Sequence, residues 1–90
     1  MVKVLFFATI RNMTREKETS APGRQTVRDL LVGLSGRYGE PFGREALEAG
    51  DVSDRIIVMV NGRAIAHTGE GDTFLSDGDT VAVFPIIGGG

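Results

Sequence analysis

Residues 26–39, TVRDLLVGLSGRYG, carry the pattern of one complete helix with its start and its stop. Val27, Leu30, Leu31, Leu34 and Tyr38 recur at helical spacing, so a helix over residues 27–38 carries one apolar face. Thr26 stands where an N-cap belongs, Asp29 follows it in capping-box fashion, and Gly39 supplies the stop. Gly33 and Gly36 lower its intrinsic propensity, so packing has to hold it. A helix of this kind needs a sheet to cover.

The flanking sequence supplies the strands. Val2, Val4, Phe6, Ala8 and Ile10 alternate with Lys3, Leu5, Phe7, Thr9 and Arg11, which predicts a first strand with a fully apolar even face. NMTREKETSAPG (12–23) reads as a polar loop with an edge-like strand around Glu18 to Ala21. EPFGREALEAGDVSD (40–54) reads as a connector with one short helical turn at Arg44 to Glu48. RIIVMVNGRAIAH (55–67) is a hairpin about an Asn61-Gly62 turn of type I′. Gly69, Gly71 and the Asp77-Gly78 pair bracket a short strand at Thr73 to Leu75. The last strand is Thr80 to Phe84, ended by Pro85.

The order is strand, strand, helix, strand, short strand, strand. A mixed sheet of four to five strands with one main helix on one face satisfies it with the fewest layers. That is an α+β, β-grasp (ubiquitin-like) fold, with a single domain over 1–87 and a glycine tail over 88–90. Val4, Phe6, Val27, Leu30, Leu34, Ile57, Met59, Val81 and Val83 are expected between helix and sheet.

Composition narrows the function. Net charge is −2 and the basic residues are scattered, which argues against nucleic-acid binding. No apolar run is long enough to span a bilayer, and MVKVLFFATIR (1–11) lacks the small-residue cleavage site of a signal peptide. A cytoplasmic protein with no membrane partner is expected. Cysteine is absent, which excludes a thiolate nucleophile, a disulfide and a cysteine metal site. Histidine occurs once, at His67, and is expected to be exposed or half-packed without a role. Glu40, Glu45, Glu48 and Asp51 cluster in the connector, where carboxylates are usually solvated. No metal site and no bound cofactor are expected.

The end of the sequence is unusual: DGDTVAVFPIIGGG occupies residues 77–90. A glycine run can be incidental, yet these glycines follow a strand and Ile86-Ile87 with no polar linker. Extended, residues 86–90 reach roughly 17 Å, enough to thread a narrow tunnel in a partner. Without Cβ atoms they let a partner's backbone and a nucleotide come close to a terminal carboxylate. That carboxylate is ionised at neutral pH and a poor electrophile. Another enzyme must activate it.

VKVLFFATIR at the start, VNG in the hairpin and the last fourteen residues together resemble the MoaD/ThiS family of sulfur-carrier proteins, in the pattern of molybdopterin synthase small subunits. The resemblance implies that Gly90 is adenylated with ATP by an adenylyltransferase related to the ubiquitin-activating enzymes. It is then converted to a thiocarboxylate with sulfur from a donor, Gly89 completing the double-glycine motif. The tail would then enter the large subunit of molybdopterin synthase and deliver sulfur to a pterin precursor. The chain has no catalytic site of its own on this reading. Here Pro85 is followed by Ile86, where the family often shows a second proline, and Gly88 is an extra glycine. Related carriers serve thiamine, cysteine and tungsten-cofactor synthesis or transfer-RNA thiolation. Two alternatives are a ubiquitin-like modifier joined to lysines through Gly90 and a non-catalytic β-grasp binding module.

Parity adds a docking surface. If Val81 and Val83 face the helix, Leu5, Phe7, Ala82 and Phe84 face the other way, where a single helix gives no cover. Phe7 and Phe84, with Leu5 on that face and Pro85, Ile86, Ile87 and Gly88 at the root of the tail, are the expected partner-binding residues, rimmed by Lys3, Arg11 and Arg63.

Overall fold

The computed structural model describes residues 1–65 and 70–86. Its elements are β1 (Val2–Phe6), α1 (Ala8–Thr14), β2 (Glu18–Ala21), β3 (Gln25–Thr26), α2 (Val27–Tyr38), α3 (Glu40–Ala46), β4 (Leu47–Glu48), β5 (Asp51–Val52), β6 (Ile56–Val60), β7 (Arg63–Ile65), β8 (Phe74–Leu75) and β9 (Thr80–Pro85). The main sheet has five strands in the order β2-β1-β9-β6-β7. β1 and β9 lie parallel at its centre, Val4 against Val81 and Phe6 against Val83, and the outer pairs are antiparallel. A mixed sheet on one main helix is the β-grasp arrangement.

α2 runs over the residues its spacing predicts. The Asp29 amide donates to Thr26 Oγ1 at 3.1 Å, and the Gly39 amide closes the last turn on Ser35 at 2.9 Å. Gly39 sits at φ 91°, a conformation that a side chain would strain. Leu30, Leu31 and Leu34 are buried against Val4, Phe6, Val58, Val81 and Val83. Phe6 anchors the centre, edge-on to Tyr38 at 5.6 Å and to Phe42 at 6.0 Å between centroids. The Asn61-Gly62 turn has positive φ at both residues, 51° and 85°, as a type I′ hairpin requires.

The structure corrects the sequence reading in three places. β1 stops at Phe6, because Ala8 takes φ 51° and turns the chain into α1. Ile10 is therefore buried from a helix, while Ala8 and Thr9, expected on a strand, are exposed. The connector is more ordered than expected: α3 covers Glu40–Ala46 with Pro41 in its first turn, and β4 and β5 form a small hairpin. The helical turn expected at Arg44–Glu48 is thus the end of α3, and the chain is already extended at Leu47. Lastly, Ile57 and Met59 are not core residues. β6 pairs Ile56 with Pro85 and Val58 with Val83, so the even residues face the helix and Ile57 is 40% exposed.

The connector carboxylates are paired. Glu40 meets Arg44 at 3.0 Å, and Arg55 meets Glu45 at 3.8 Å and Glu48 at 2.6 Å. Arg28 ties α2 to β5 and to the loop before β8 through Asp51, at 3.2 Å, and Asp72. Its hydrogen bond from Arg28, helped by the Val52 amide, holds the Asp51 carboxyl below the usual carboxylate range. Asp79 is held low in the same way, by the Asn61 amide and then the Ser76 N–H. No helix among the described residues is long and apolar enough to cross a membrane.

Candidate functional site on the uncovered sheet face

The face of the sheet away from α2 is set by the registers just described. Leu5 pairs Ala82, which pairs Met59, and this row shares one side of the sheet. One step further, Phe84 pairs Ile57. Phe7 follows β1 beside Phe84, its amide donating to the Val83 carbonyl at 3.2 Å. The two phenyl rings stack with centroids 4.4 Å apart and planes 7° from parallel. Both residues are half-buried, so the stack keeps a face toward solvent.

Arg11 reaches back from α1, with its guanidinium carbon 5.9 Å from the centre of the Phe7 ring and Nε donating to the Phe6 carbonyl at 3.2 Å. Lys3 lies exposed on the same side, one step from Leu5 along β1. Arg63 does not join this rim. It pairs Val60 and so shares the helix side of the sheet.

The root of the tail is built into β9. Pro85 is buried opposite Ile56, so it anchors the strand end and offers no contact surface, contrary to its expected partner-binding role. Beyond it, the Ile86 amide donates to the Arg55 carbonyl at 3.1 Å while the side chain is 48% exposed. Ile87, Gly88, Gly89 and Gly90 lie outside the described residues, as does His67. The structure thus brings Leu5, Phe7, Phe84 and Ile86 to one end of one face. It adds Ile57 and Met59, which sequence reasoning assigned to the core. Their pairing with the last strand was the signal, and it is not legible in the uniformly apolar run IIVMV.

A mixed five-stranded sheet with its main helix on one face, and an apolar opposite face that no other described element covers, defines a ubiquitin-like β-grasp protein. The ThiS family matches residues 4–90, and the chain belongs to that family of sulfur carriers and ubiquitin-like modifiers. It is 36% identical over 91 residues to small archaeal modifier protein 3 of Haloferax volcanii, covering 99% of this chain and 98% of the relative. A Pyrococcus furiosus protein described as molybdopterin converting factor subunit 1 superposes with a TM-score of 0.71 at 35% identity, over 96% of this chain and 97% of its own. A chain of the BexX/CysO complex of Amycolatopsis orientalis superposes with a TM-score of 0.81 at 26% identity, covering 100% of both chains.

Proposed function

We propose that the chain is a carrier whose Gly90 carboxylate is activated by a separate adenylating enzyme and then loaded with sulfur. The carboxylate oxygen attacks the α-phosphorus of ATP and pyrophosphate leaves. A sulfide equivalent from a donor protein then adds to the acyl carbon and displaces AMP, leaving a thiocarboxylate. The nucleotide belongs to the activating enzyme, not to this chain. The observation that carries the reading is the stacked Phe7–Phe84 pair beside the strand that delivers the tail. A partner grips the open face while the glycines reach its catalytic centre, and apolar burial there offsets the cost of ordering them, roughly 1–2 kcal/mol per residue. Activating enzyme and sulfur acceptor use the same face, so they bind in turn.

For the acceptor, the similarity to a molybdopterin converting factor subunit supports the large subunit of molybdopterin synthase. A second reading, conjugation to lysines of other proteins through Gly90, is supported by the similarity to an archaeal modifier protein. Intact mass after incubation with the adenylating enzyme, ATP and a sulfide source tests the sulfur-loading step. An oxygen-to-sulfur increase at the C-terminus supports it, and an unchanged mass with an enzyme active on another carrier overturns it. Lysine-linked adducts in cell extract would favour the modifier reading over the carrier one.

A further inference from the structure

On the opposite face, away from Phe7 and Phe84, a groove of about 500 Å³ runs between the edge strand β2 and helix α2. Ala21, Leu30 and Leu34 form its apolar floor, and Arg24 and Arg37 stand along its rims. No carboxylate lines it, in a chain whose net charge is −2. Arg24 is 85% exposed, its Nε 4.0 Å from Asp77, whose carboxylate is already engaged by the Met1 amino group at 2.9 Å.

The strand beside the groove has backbone to offer. β2 is an edge of the five-stranded sheet and, among the described residues, pairs only with β1 there. The Phe6 amide donates to the Lys17 carbonyl at 2.9 Å, which fixes the phase of the ladder. Val4–Thr19 and Val2–Ala21 are then the hydrogen-bonded pairs, and Glu18 and Ser20 turn their N–H and C=O groups outward. The Arg37 guanidinium lies 3.5 Å from the Ser20 carbonyl, which agrees with that phase. An edge with outward amides is a template for one more strand.

Gly33 adds an independent observation. It lies on the groove wall in the middle of α2, and a Cβ built on it meets nothing within 4 Å. The fold therefore does not require glycine there, although glycine weakens a helix. What the missing side chain provides is room above Leu30 and Leu34.

We propose that this groove binds an extended, acidic segment of another protein, which adds as a strand to β2. Its β-branched side chains seat on Ala21, Leu30 and Leu34, and its flanking carboxylates meet Arg24 and Arg37. The site is on the other face from the tail root, so it recruits a target or scaffold while Gly90 is being activated or used. The binding itself stands whether or not the carrier reading above is right; only its timing relative to Gly90 rests on that reading.

The test uses the full chain, isotope-labelled, and a synthetic peptide with a Val-Thr-Val-Ile centre flanked by Asp and Glu, beside the same peptide with Lys flanks. The acidic peptide should bind with a Kd of about 10 µM to 1 mM and shift the amides of Glu18, Ser20, Gly33 and Leu34. The basic peptide should bind roughly two- to thirtyfold more weakly, the range that two exposed ionic contacts supply. Arg24→Glu with Arg37→Glu should reverse that preference. Gly33→Leu should abolish binding while holding or raising the melting temperature, and Ser20→Pro should weaken binding by removing an outward N–H. Equal binding of both peptides, shifts confined to the Phe84 face, or unimpaired binding to Gly33→Leu would overturn the proposal. So would sedimentation showing that a second copy of this chain occupies the groove. If Gly33→Leu fails to fold, the arginine reversal decides alone.

Discussion

The two faces of the main sheet have similar composition and opposite fates. Toward α2 lie Val4, Phe6, Val58, Val81 and Val83, each at most 1% exposed. Away from it lie Leu5, Phe7, Ile57, Met59, Ala82 and Phe84, apolar side chains of comparable size that keep contact with water. Among the described residues the main helix closes only one of the two faces. The closed face makes the fold. The open one is free to bind, and it lies where β9 leads toward the tail. An open apolar patch of this kind is a candidate docking surface.

The comparison predicts a graded set of effects on stability. Phe6→Ala or Leu34→Ala should cost about 3–5 and 2–5 kcal/mol respectively, read by chemical denaturation, since each removes a buried side chain. Either variant staying within about 1 kcal/mol of the parent would mean that the closed face is not the core.

Acid should act next. Asp51 and Asp79 have carboxyls held low in the folded state, so their contribution is fully present above the unfolded value, near 3.9. It is lost as pH falls through their lowered folded values. The melting temperature should therefore fall below about pH 4, and Arg28→Met should flatten that fall. An unchanged acid slope in Arg28→Met would remove Asp51 from the account.

On the open face, Phe84→Ala should cost only about 1 kcal/mol of stability, the stacking with Phe7 being the main loss. The same change should weaken binding to the adenylating enzyme at least about tenfold. Equal losses in stability and binding would blur the distinction between the faces. Deleting Gly90 should leave the melting temperature unchanged and abolish sulfur loading. A fall of several degrees would place the tail among the fold's own contacts.

How much of this was legible in the sequence depended on local signals. The spacing of Leu30, Leu31 and Leu34, the Thr26 cap and the Asn61-Gly62 turn each name their own structure, and all hold. The Phe7–Phe84 pair was legible from parity, because β1 and β9 alternate clearly with respect to the helix. In Ile56–Val60 every side chain is apolar, and only the pairing with β9 tells which of them face the helix. The switch at Ala8 has no glycine or proline to announce it; tertiary context imposes the positive φ. The connector hid α3 because its glycines and charges read as loop, while Phe42 and Ala46, both buried, hold it as a helix against the core. The groove beside β2 depended on knowing which strand is an edge. Its arginines are thirteen residues apart in sequence and give no motif.

The adenylating enzyme is expected to bind the open face and leave the helix-covered face alone. Titrating isotope-labelled chain with the adenylating enzyme, without ATP, and following every amide tests it most directly. Leu5, Phe7, Ile57, Met59, Phe84 and Ile86 are expected to lose or shift their signals while Leu30, Leu31 and Leu34 of α2 keep theirs. Perturbations centred on α2, with Phe7 and Phe84 unmoved, would contradict it.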